Sequence, residues 1–339
     1  MQSWHTSPEW SGAEKAPFSR LRAACQHAFD TGWTTHSSYD RKKKREGLGQ
    51  TMNERISEST LWNRRIAFIG CGVMGEAIMS SLLRGEQVTA GQLIGSDPVE
   101  TRRRDLSTKL GVHISEDNGT AVQGADIVLL TVKPQTLNDV MADLTGRLDK
   151  RQLVISIVPG ATVQQLTSGL RHERVVRSMP NTPAQIGYGA TVWFAGPAVD
   201  DEGEELVSAI LSTLGTAVRV NSEDSVDMST ALSGTGPAYI FLVMEALIDA
   251  GVHMGFPRHT AEELVHQTML GSVLFARESG KHPAELRNMV TTPGGTTAAA
   301  IYEMEKGGLR TVIARSVWAA YKRAQQLGKG SPNSGPDDL

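Results

Sequence analysis

The sequence predicts an α/β protein in which a doubly wound parallel sheet is followed by an all-helical region. Between about residues 65 and 180, short apolar runs of strand length alternate with helical patterns, which is typical of parallel strands joined by crossover helices. After about residue 222 the strand patterns stop, and apolar residues recur at helical spacing. We therefore expect a sheet domain over residues 63–222 and a helical domain over residues 223–328.

Each predicted strand is a short apolar run closed by Gly, Pro or a polar residue, as expected for strands buried on both faces. The predicted strands are 66–69, 93–94, 127–132, 153–157 and 175–179. The predicted C-terminal helices are 238–254, 259–279, 283–290, 297–305 and 309–327. A disordered extension is expected over residues 1–62, which lack either periodicity, and a disordered tail over residues 329–339.

Composition argues against several classes of function. The net charge of −3 gives no basic excess for binding nucleic acid. No apolar stretch is long enough to suggest a membrane span, and the N-terminus lacks a signal-peptide pattern. The chain has only two cysteines, Cys25 and Cys71, which suits a reducing compartment. We expect a cytoplasmic protein that binds neither nucleic acid nor membrane.

A glycine-rich loop after the first strand points to a dinucleotide. Its residues are Gly70, Cys71, Gly72, Val73, Met74 and Gly75. The GxGxxG spacing lies between a strand and a helix, the context in which it binds a pyrophosphate. The first glycine permits a tight turn, the second lets the backbone approach the phosphates, and the third lets helix and strand pack closely. The alternative is a glycine-rich turn without a ligand.

The form of the cofactor depends on the end of the second strand. Asp97 there would hold a ribose 2′-hydroxyl and favour NAD, whereas Ser96 and the arginines at 102–104 could bind the 2′-phosphate of NADP. Because Asp97 is one residue beyond Ser96, its side chain could point away from the cofactor. We expect NADPH to be preferred, with NADH as the alternative.

The end of the strand over 127–132 is a further candidate for ligand contacts, since parallel sheets bind ligands at the carboxyl ends of their strands. The strand over 127–132 is closed by Thr131, Val132, Lys133 and Pro134. These residues are candidates for cofactor contacts, and an ordinary strand end is the alternative interpretation.

Three polar stretches rich in Gly and Pro are candidates for a substrate site. They are 179–183, 233–239 and 291–297, and the last two precede predicted helices. Such loops offer backbone N–H groups and hydroxyls to a carboxylate, although helix capping is the alternative use of their Ser and Thr side chains. The helix over 238–254 is apolar nearly all round, which predicts that two helical regions bury it in a homodimer; burial against its own sheet domain is the alternative.

These motifs together resemble the pyrroline-5-carboxylate reductase family over residues 65 to about 328. The matching segments are GCGVMG at 70–75, TVKP at 131–134, MPNTP at 179–183, SGTGPAY at 233–239 and HPAELRNMVTTPGGTT at 282–297. The resemblance implies a Rossmann domain, a helical dimerisation domain, and reduction of L-1-pyrroline-5-carboxylate to L-proline by NAD(P)H. It also implies homodimers that can assemble into pentamers of dimers.

The resemblance also implies roles for individual residues. Cofactor contacts are implied for Ser96, at the 2′-phosphate, and for Asn118. We expect the nicotinamide itself to lie near Asn181. The substrate pocket is implied to consist of Thr292, Gly294, Gly295 and Thr297. This sequence has Thr292 where the family often has Ser, Arg287-Asn288 for Lys-Asp, and Gly280 where some members are acidic. A protonated imine accepts hydride when correctly positioned, so no metal ligand set is expected.

Two other functions share part of this sequence pattern. A β-hydroxyacid dehydrogenase has a similar plan but carries a lysine on the long helix after the sheet, and residues 237–255 contain none. A nucleotide-binding regulatory protein without catalysis would keep the 70–75 loop but would not need the 291–297 loop.

Overall fold

The computed structural model describes residues 59–328, so the disorder predicted for residues 1–58 and 329–339 lies outside the described part of the chain. The predicted extension also included residues 59–62, and there the prediction is wrong. These residues form a turn that places Leu61, which has no exposed surface, in the hydrophobic core. Burial of this leucine fixes the turn beside the first strand.

The sheet has eight strands in the order β3-β2-β1-β4-β5-β6-β7-β8. The strands are β1 (Ile66–Ile69), β2 (Leu93–Ser96), β3 (His113–Ser115), β4 (Ile127–Leu130), β5 (Leu153–Ser156), β6 (Val175–Met179), β7 (Gly189–Ala195) and β8 (Gly215–Arg219). The first six are parallel, as predicted, whereas β7 runs antiparallel to β6 and β8 runs parallel to β7. The order reverses between β1 and β4, which places a ligand crevice at their carboxyl ends.

Six helices cover the two faces of the sheet. They are α1 (Val73–Arg84), α2 (Glu100–Leu110), α3 (Asn118–Val122), α4 (Leu137–Leu144), α5 (Val163–Leu170) and α6 (Asp201–Ser212). Side chains of β1 alternate between two separate cores. Phe68 packs in the core that includes residues of α1, α2 and α6, and Ile69 packs in the core that includes residues of α3, α4 and α5. The predicted doubly wound sheet is therefore confirmed.

The remaining elements after β8 are helical, as predicted. They are α7 (Asp224–Ser229), a π-helical turn (Thr230–Gly234), α8 (Gly236–His253), α9 (Arg258–Ser279), α10 (Pro283–Met289), α11 (Thr296–Lys306) and α12 (Leu309–Gly328). The stretch Asp224–His253 is long and apolar enough to cross a membrane by length and composition alone. Only Ile248 and Gly251 of α8 are buried in the single chain, so the alternative to a homodimer, burial of this helix against its own sheet domain, is not seen.

The strands that the sequence patterns missed are β3, β7 and β8. β3 has three residues, too few to show a periodicity. β7 does alternate, with Thr191 and Trp193 buried, but it mixes small and polar residues with the apolar ones. It follows β6 through a short 3₁₀ helix, Thr182–Ile186. A connection this short suits an antiparallel neighbour, because a parallel one needs a longer crossover.

Candidate active site

The glycine loop at the end of β1 combines two closely packed glycines with one open glycine. Gly70 has φ +86°, and a Cβ there would lie 2.6 Å from the Cγ1 of Val132. A Cβ on Gly75 would lie 2.7 Å from the carbonyl oxygen of Gly70. A Cβ on Gly72 would have no atom of the described chain within 4 Å. The first and third glycines are thus required by the protein's own packing, and the second faces open space.

That open space lies at the start of α1. Gly72 is the N-cap residue, and no side chain caps the helix. The first N–H groups of a helix have no partner within it, and together with the helix dipole they attract anions. The loop and helix therefore fit the pyrophosphate of a dinucleotide. Val73 and Met74 occupy the first two positions of the helix, where the sequence predicted cofactor contacts.

Cys71 is a buried packing residue of this loop. Its side chain has no exposed surface, and a Cβ on Gly95 of β2 would lie 2.6 Å from its Sγ. Burial, followed by the nearby charge of Asp97, raises the pKa of the Cys71 thiol to about 12. A thiol with this pKa stays protonated at neutral pH and is a poor nucleophile.

Residues at the end of β4 pack against the glycine loop and hydrogen-bond to it. The Thr131 hydroxyl donates to the carbonyl oxygen of Ile69 at 3.1 Å and also to that of Gly70. Val132 packs against Gly70, whereas Lys133 and Pro134 are exposed. The structure thus brings 131–134 against 70–75, as expected for strands that flank the switch point of the sheet.

Ser96 does not have the surroundings that a 2′-phosphate contact requires. The residue has no exposed surface, and its hydroxyl donates to Oδ1 of Asn118 at 2.7 Å. The Asn118 amide in turn donates to Oδ2 of Asp143 at 2.9 Å. The structure therefore disagrees with the expectation for Ser96, because the hydroxyl is directed into the protein, where it joins β2 to α3.

Asp97, in contrast, faces the glycine loop. Its Oδ2 accepts the backbone N–H of Cys71 at 3.0 Å, and its Oδ1 accepts that of Val99 at 3.0 Å. The expectation that this side chain points away from the cofactor loop is wrong. Strand residues alternate between faces, and the register of β2 turns Ser96 inward and Asp97 toward the loop.

Asn181 connects the sheet to the helical region. Its Nδ2 donates to the carbonyl oxygen of Ser233 at 3.0 Å, and its Oδ1 accepts the N–H of Ala190 at 2.9 Å. Ser233 lies in the π-helical turn, so residues 233–239 are part of a helical run rather than the free loop predicted. The N–H of Thr235 donates within this run to the carbonyl oxygen of Thr230 at 2.8 Å. This segment consequently offers fewer free N–H groups than expected.

The loop before α11 retains the features predicted for an anion site. Gly295 is the N-cap residue of α11 and no side chain caps the helix, so the capping alternative does not hold here. Gly294 has φ +70°. The N–H of Gly295 donates to the carbonyl oxygen of Thr292 at 3.0 Å, so this amide is not free for a substrate. Thr292 and Gly294 are exposed, and Thr297 is partly exposed.

Sequence patterns missed one residue beside the site, Arg177 of β6. Its side chain is 2% exposed and forms ion pairs with Glu223, at 3.2 Å, and with Asp227 of α7. These pairs fix the helical region to the sheet two residues before the strand ends. A charged residue inside the apolar run 175–179 was the available signal, since buried arginines are nearly always paired.

Two models of known protein families match separate parts of the chain. Residues 65–160 match a family model described as "NADP oxidoreductase coenzyme F420-dependent", and residues 223–327 match one described as "Pyrroline-5-carboxylate reductase dimerisation". Among similar proteins, the pyrroline-5-carboxylate reductase of Synechocystis sp. is 41% identical over 78% of this chain and 98% of its own. The enzyme of that name from Methanosarcina acetivorans is 40% identical over 79% of this chain and 99% of its own.

Solved structures show the same relationship. A pyrroline-5-carboxylate reductase from Coxiella burnetii superposes with a TM-score of 0.70 and is 36% identical, with 78% of this chain and 98% of that chain covered. Pyrroline carboxylate reductase from Plasmodium falciparum, solved with NADP bound, gives a TM-score of 0.72 at 29% identity over 78% of this chain and 98% of its own.

Proposed function

Because this chain belongs to the pyrroline-5-carboxylate reductase family, we propose that it reduces L-1-pyrroline-5-carboxylate to L-proline with a reduced nicotinamide cofactor. The observation that carries the proposal is the open second glycine of a Rossmann loop in a chain that spans nearly the whole length of its named relatives. The cofactor, when bound, supplies a hydride to C5 of the ring C=N bond, and a proton on the ring nitrogen completes the reduction.

The residues proposed to hold the cofactor lie along the crevice at the switch point of the sheet. Gly70, Gly72 and the first turn of α1 would bind the pyrophosphate, with Thr131 and Val132 keeping the loop in place. Lys133 and Pro134 are exposed at the same edge. We assign Asn118 and Asn181 positioning roles, because both side-chain amides already join structural elements.

For the substrate we propose the N-terminus of α11 and the loop before it. The uncapped helix offers first-turn N–H groups to the substrate carboxylate, together with the amide of Gly294 and the exposed hydroxyl of Thr292. Because the Gly295 N–H already donates to the carbonyl oxygen of Thr292, its proposed role is to stabilise the turn of the loop. A Cβ on Gly295 would lie 2.4 Å from the Thr292 hydroxyl oxygen, so a side chain at this position would displace that hydroxyl. The hydroxyl of Thr297 would orient the ring nitrogen.

We further propose that the protein is a homodimer formed through its helical region. In the single chain, α8 exposes Phe241 and Leu242 at 56% and 66%, and α12 exposes Trp318 at 61%. Apolar surface of this extent on two helices is rare on a monomer. A dimer interface would cover the apolar stretch Asp224–His253 without a membrane. Assembly into pentamers of dimers stays a prediction, as does a cytoplasmic location.

The activity is tested with purified chain, L-1-pyrroline-5-carboxylate, and NADH or NADPH. We expect loss of reduced nicotinamide absorbance and an equal amount of L-proline by amino-acid analysis. A protein that binds either cofactor but never consumes the imine would refute the proposed reaction.

The dimer is tested by light scattering at micromolar concentration. We expect twice the chain mass for the native protein, and a shift toward monomer for Phe241→Asp, because a charge would be buried in the interface. Trp62→Asp, an exposed apolar position of the sheet domain, is the matched control. A native protein of single-chain mass would overturn the dimer.

Thr297→Ala tests the substrate site. We expect kcat/KM for the imine to fall on the order of tenfold, as loss of one hydrogen bond allows, and Thr297→Ser to restore most of it. Thr296→Ala, one position earlier on the same helix turn, is the control that should leave the kinetics nearly unchanged. Equal kinetics for Thr297→Ala and the native chain would remove Thr297 from the mechanism.

A further inference from the structure

A carboxylate is held rigidly beside the cofactor loop. Both oxygens of Asp97 accept backbone N–H groups, one from Cys71 within the glycine loop and one from Val99. The residue is 9% exposed. Two hydrogen bonds at 3.0 Å therefore fix this charge at the end of β2, between the glycine loop and the start of α2.

The arginines that follow Asp97 are already paired with carboxylates and carbonyl oxygens. Arg102 donates to the carbonyl oxygens of Cys71 and Gly72 and forms an ion pair with Glu76 at 2.6 Å. Arg103 donates to the carbonyl oxygen of Asp97 at 3.0 Å and pairs with Glu116 at 3.2 Å.

The third arginine, Arg104, pairs with Glu100 one helical turn before it. None of the three thus stands as an uncompensated cation ready to receive a phosphate. A 2′-phosphate, with a charge near −2, would have to compete with these carboxylates for the guanidinium groups.

The hydroxyl that the sequence suggested for a 2′-phosphate, that of Ser96, is out of reach. Ser96 is fully buried and bonded to Asn118. The polar group that β2 presents next to the glycine loop is therefore a carboxylate, which accepts hydrogen bonds from hydroxyls and repels phosphates.

We propose that Asp97 makes this protein select NADH over NADPH. At the end of the second strand of a Rossmann fold, a carboxylate accepts a hydrogen bond from the ribose 2′-hydroxyl of NAD. The same carboxylate beside a 2′-phosphate brings two negative groups together with no free cation between them. This reverses the preference for NADPH predicted from the sequence, and it rests on the nicotinamide site proposed above.

The test measures binding of NADH and NADPH to the full chain by calorimetry, independently of turnover. We expect the native protein to bind NADH roughly 10- to 100-fold more tightly, the range that one hydrogen bond to a charged group provides. Asp97→Asn and Asp97→Ser should reduce that ratio by roughly tenfold or more, mainly through tighter binding of NADPH. Asp105→Asn, an exposed position on α2, removes the same charge at a distance and should leave the ratio unchanged.

Equal or tighter binding of NADPH by the native protein would overturn the proposal, and so would an unchanged ratio in both Asp97 variants. If neither Asp97 variant folds, the ratio of NADH to NADPH affinity of the native protein alone tests the proposal. Selective binding of NADH without any consumption of the imine would support this inference while refuting the proposed reaction, so the two failures are distinguishable.

Discussion

Adding one methyl group at two glycines of the same loop should separate folding from cofactor binding. In Gly75→Ala the new Cβ would lie 2.7 Å from the Gly70 carbonyl oxygen and 3.1 Å from the Thr131 hydroxyl oxygen. Because the first contact is with backbone, the loop or helix must move by several tenths of an ångström. Overpacking of this kind costs about 1–3 kcal/mol, only partly offset by the better helix propensity of alanine.

The same substitution at Gly72 should behave oppositely. No atom of the described chain lies within 4 Å of a Cβ there, and φ of −66° suits any residue. We expect the free energy of unfolding to change by less than about 1 kcal/mol, the range for an N-cap change. The methyl group would nevertheless occupy the space proposed for the pyrophosphate. We expect NADH to bind at least about tenfold more weakly, a loss of ~1.4 kcal/mol.

The pair is measured by urea unfolding for stability and by calorimetric titration with NADH for binding. Gly72→Ala should unfold at nearly the native midpoint but bind NADH poorly, whereas Gly75→Ala should unfold at a lower urea concentration. Native-like binding by Gly72→Ala would refute the placement of the pyrophosphate. Equal stability of Gly75→Ala and the native chain would refute the packing argument.

Three further predictions concern buried groups. Arg177→Met removes the partner of Glu223 and Asp227 and should lower the free energy of unfolding, measured with urea, by about 3 kcal/mol. The exposed control Arg219→Met should lower it by less than about 1 kcal/mol, and equal losses would contradict this prediction. Burial lowers the pKa of His172 in the folded protein, so as the pH falls the unfolded chain takes up a proton at this residue before the folded chain does. The free energy of unfolding should therefore decrease as the pH drops below about 6.5, by up to about 1.4 kcal/mol per pH unit. His172→Gln should lack that part of the slope, and an unchanged slope would exclude His172. Cys71, with its raised pKa, should resist iodoacetamide in the folded protein and react in urea, as read by peptide mass mapping; rapid labelling of the folded form would contradict its burial.

Much of the fold follows from contiguous stretches of sequence. The five predicted strands and all five predicted C-terminal helices are present, with ends that shift by a few residues. The glycine loop was predicted together with its strand and helix, because the three form one local unit. The edge strand β8 was missed because an edge strand has little buried surface to impose an apolar pattern.

Individual site residues were harder to predict than the elements that carry them. Asn118 and Asn181 were chosen as cofactor ligands, yet their amides bond Asp143 and Ser233. Ser233 is 52 residues from Asn181, and nothing in the local pattern of either segment indicates the other. The loop around 233–239 was similarly expected to be open, and its π-helical turn depends on packing against β7 and α12.

The sequence by itself determined that a strand, a glycine turn and a helix would follow one another, because neighbouring residues make that unit and their spacing records it. Only the tertiary structure decided which of two adjacent residues, Ser96 or Asp97, faces the glycine loop. Successive side chains of a strand point to opposite sides, so this choice depends on the register of β2 against β1 and on where α3 packs. Those are contacts between distant segments, and the proposed selection of NADH over NADPH rests on them.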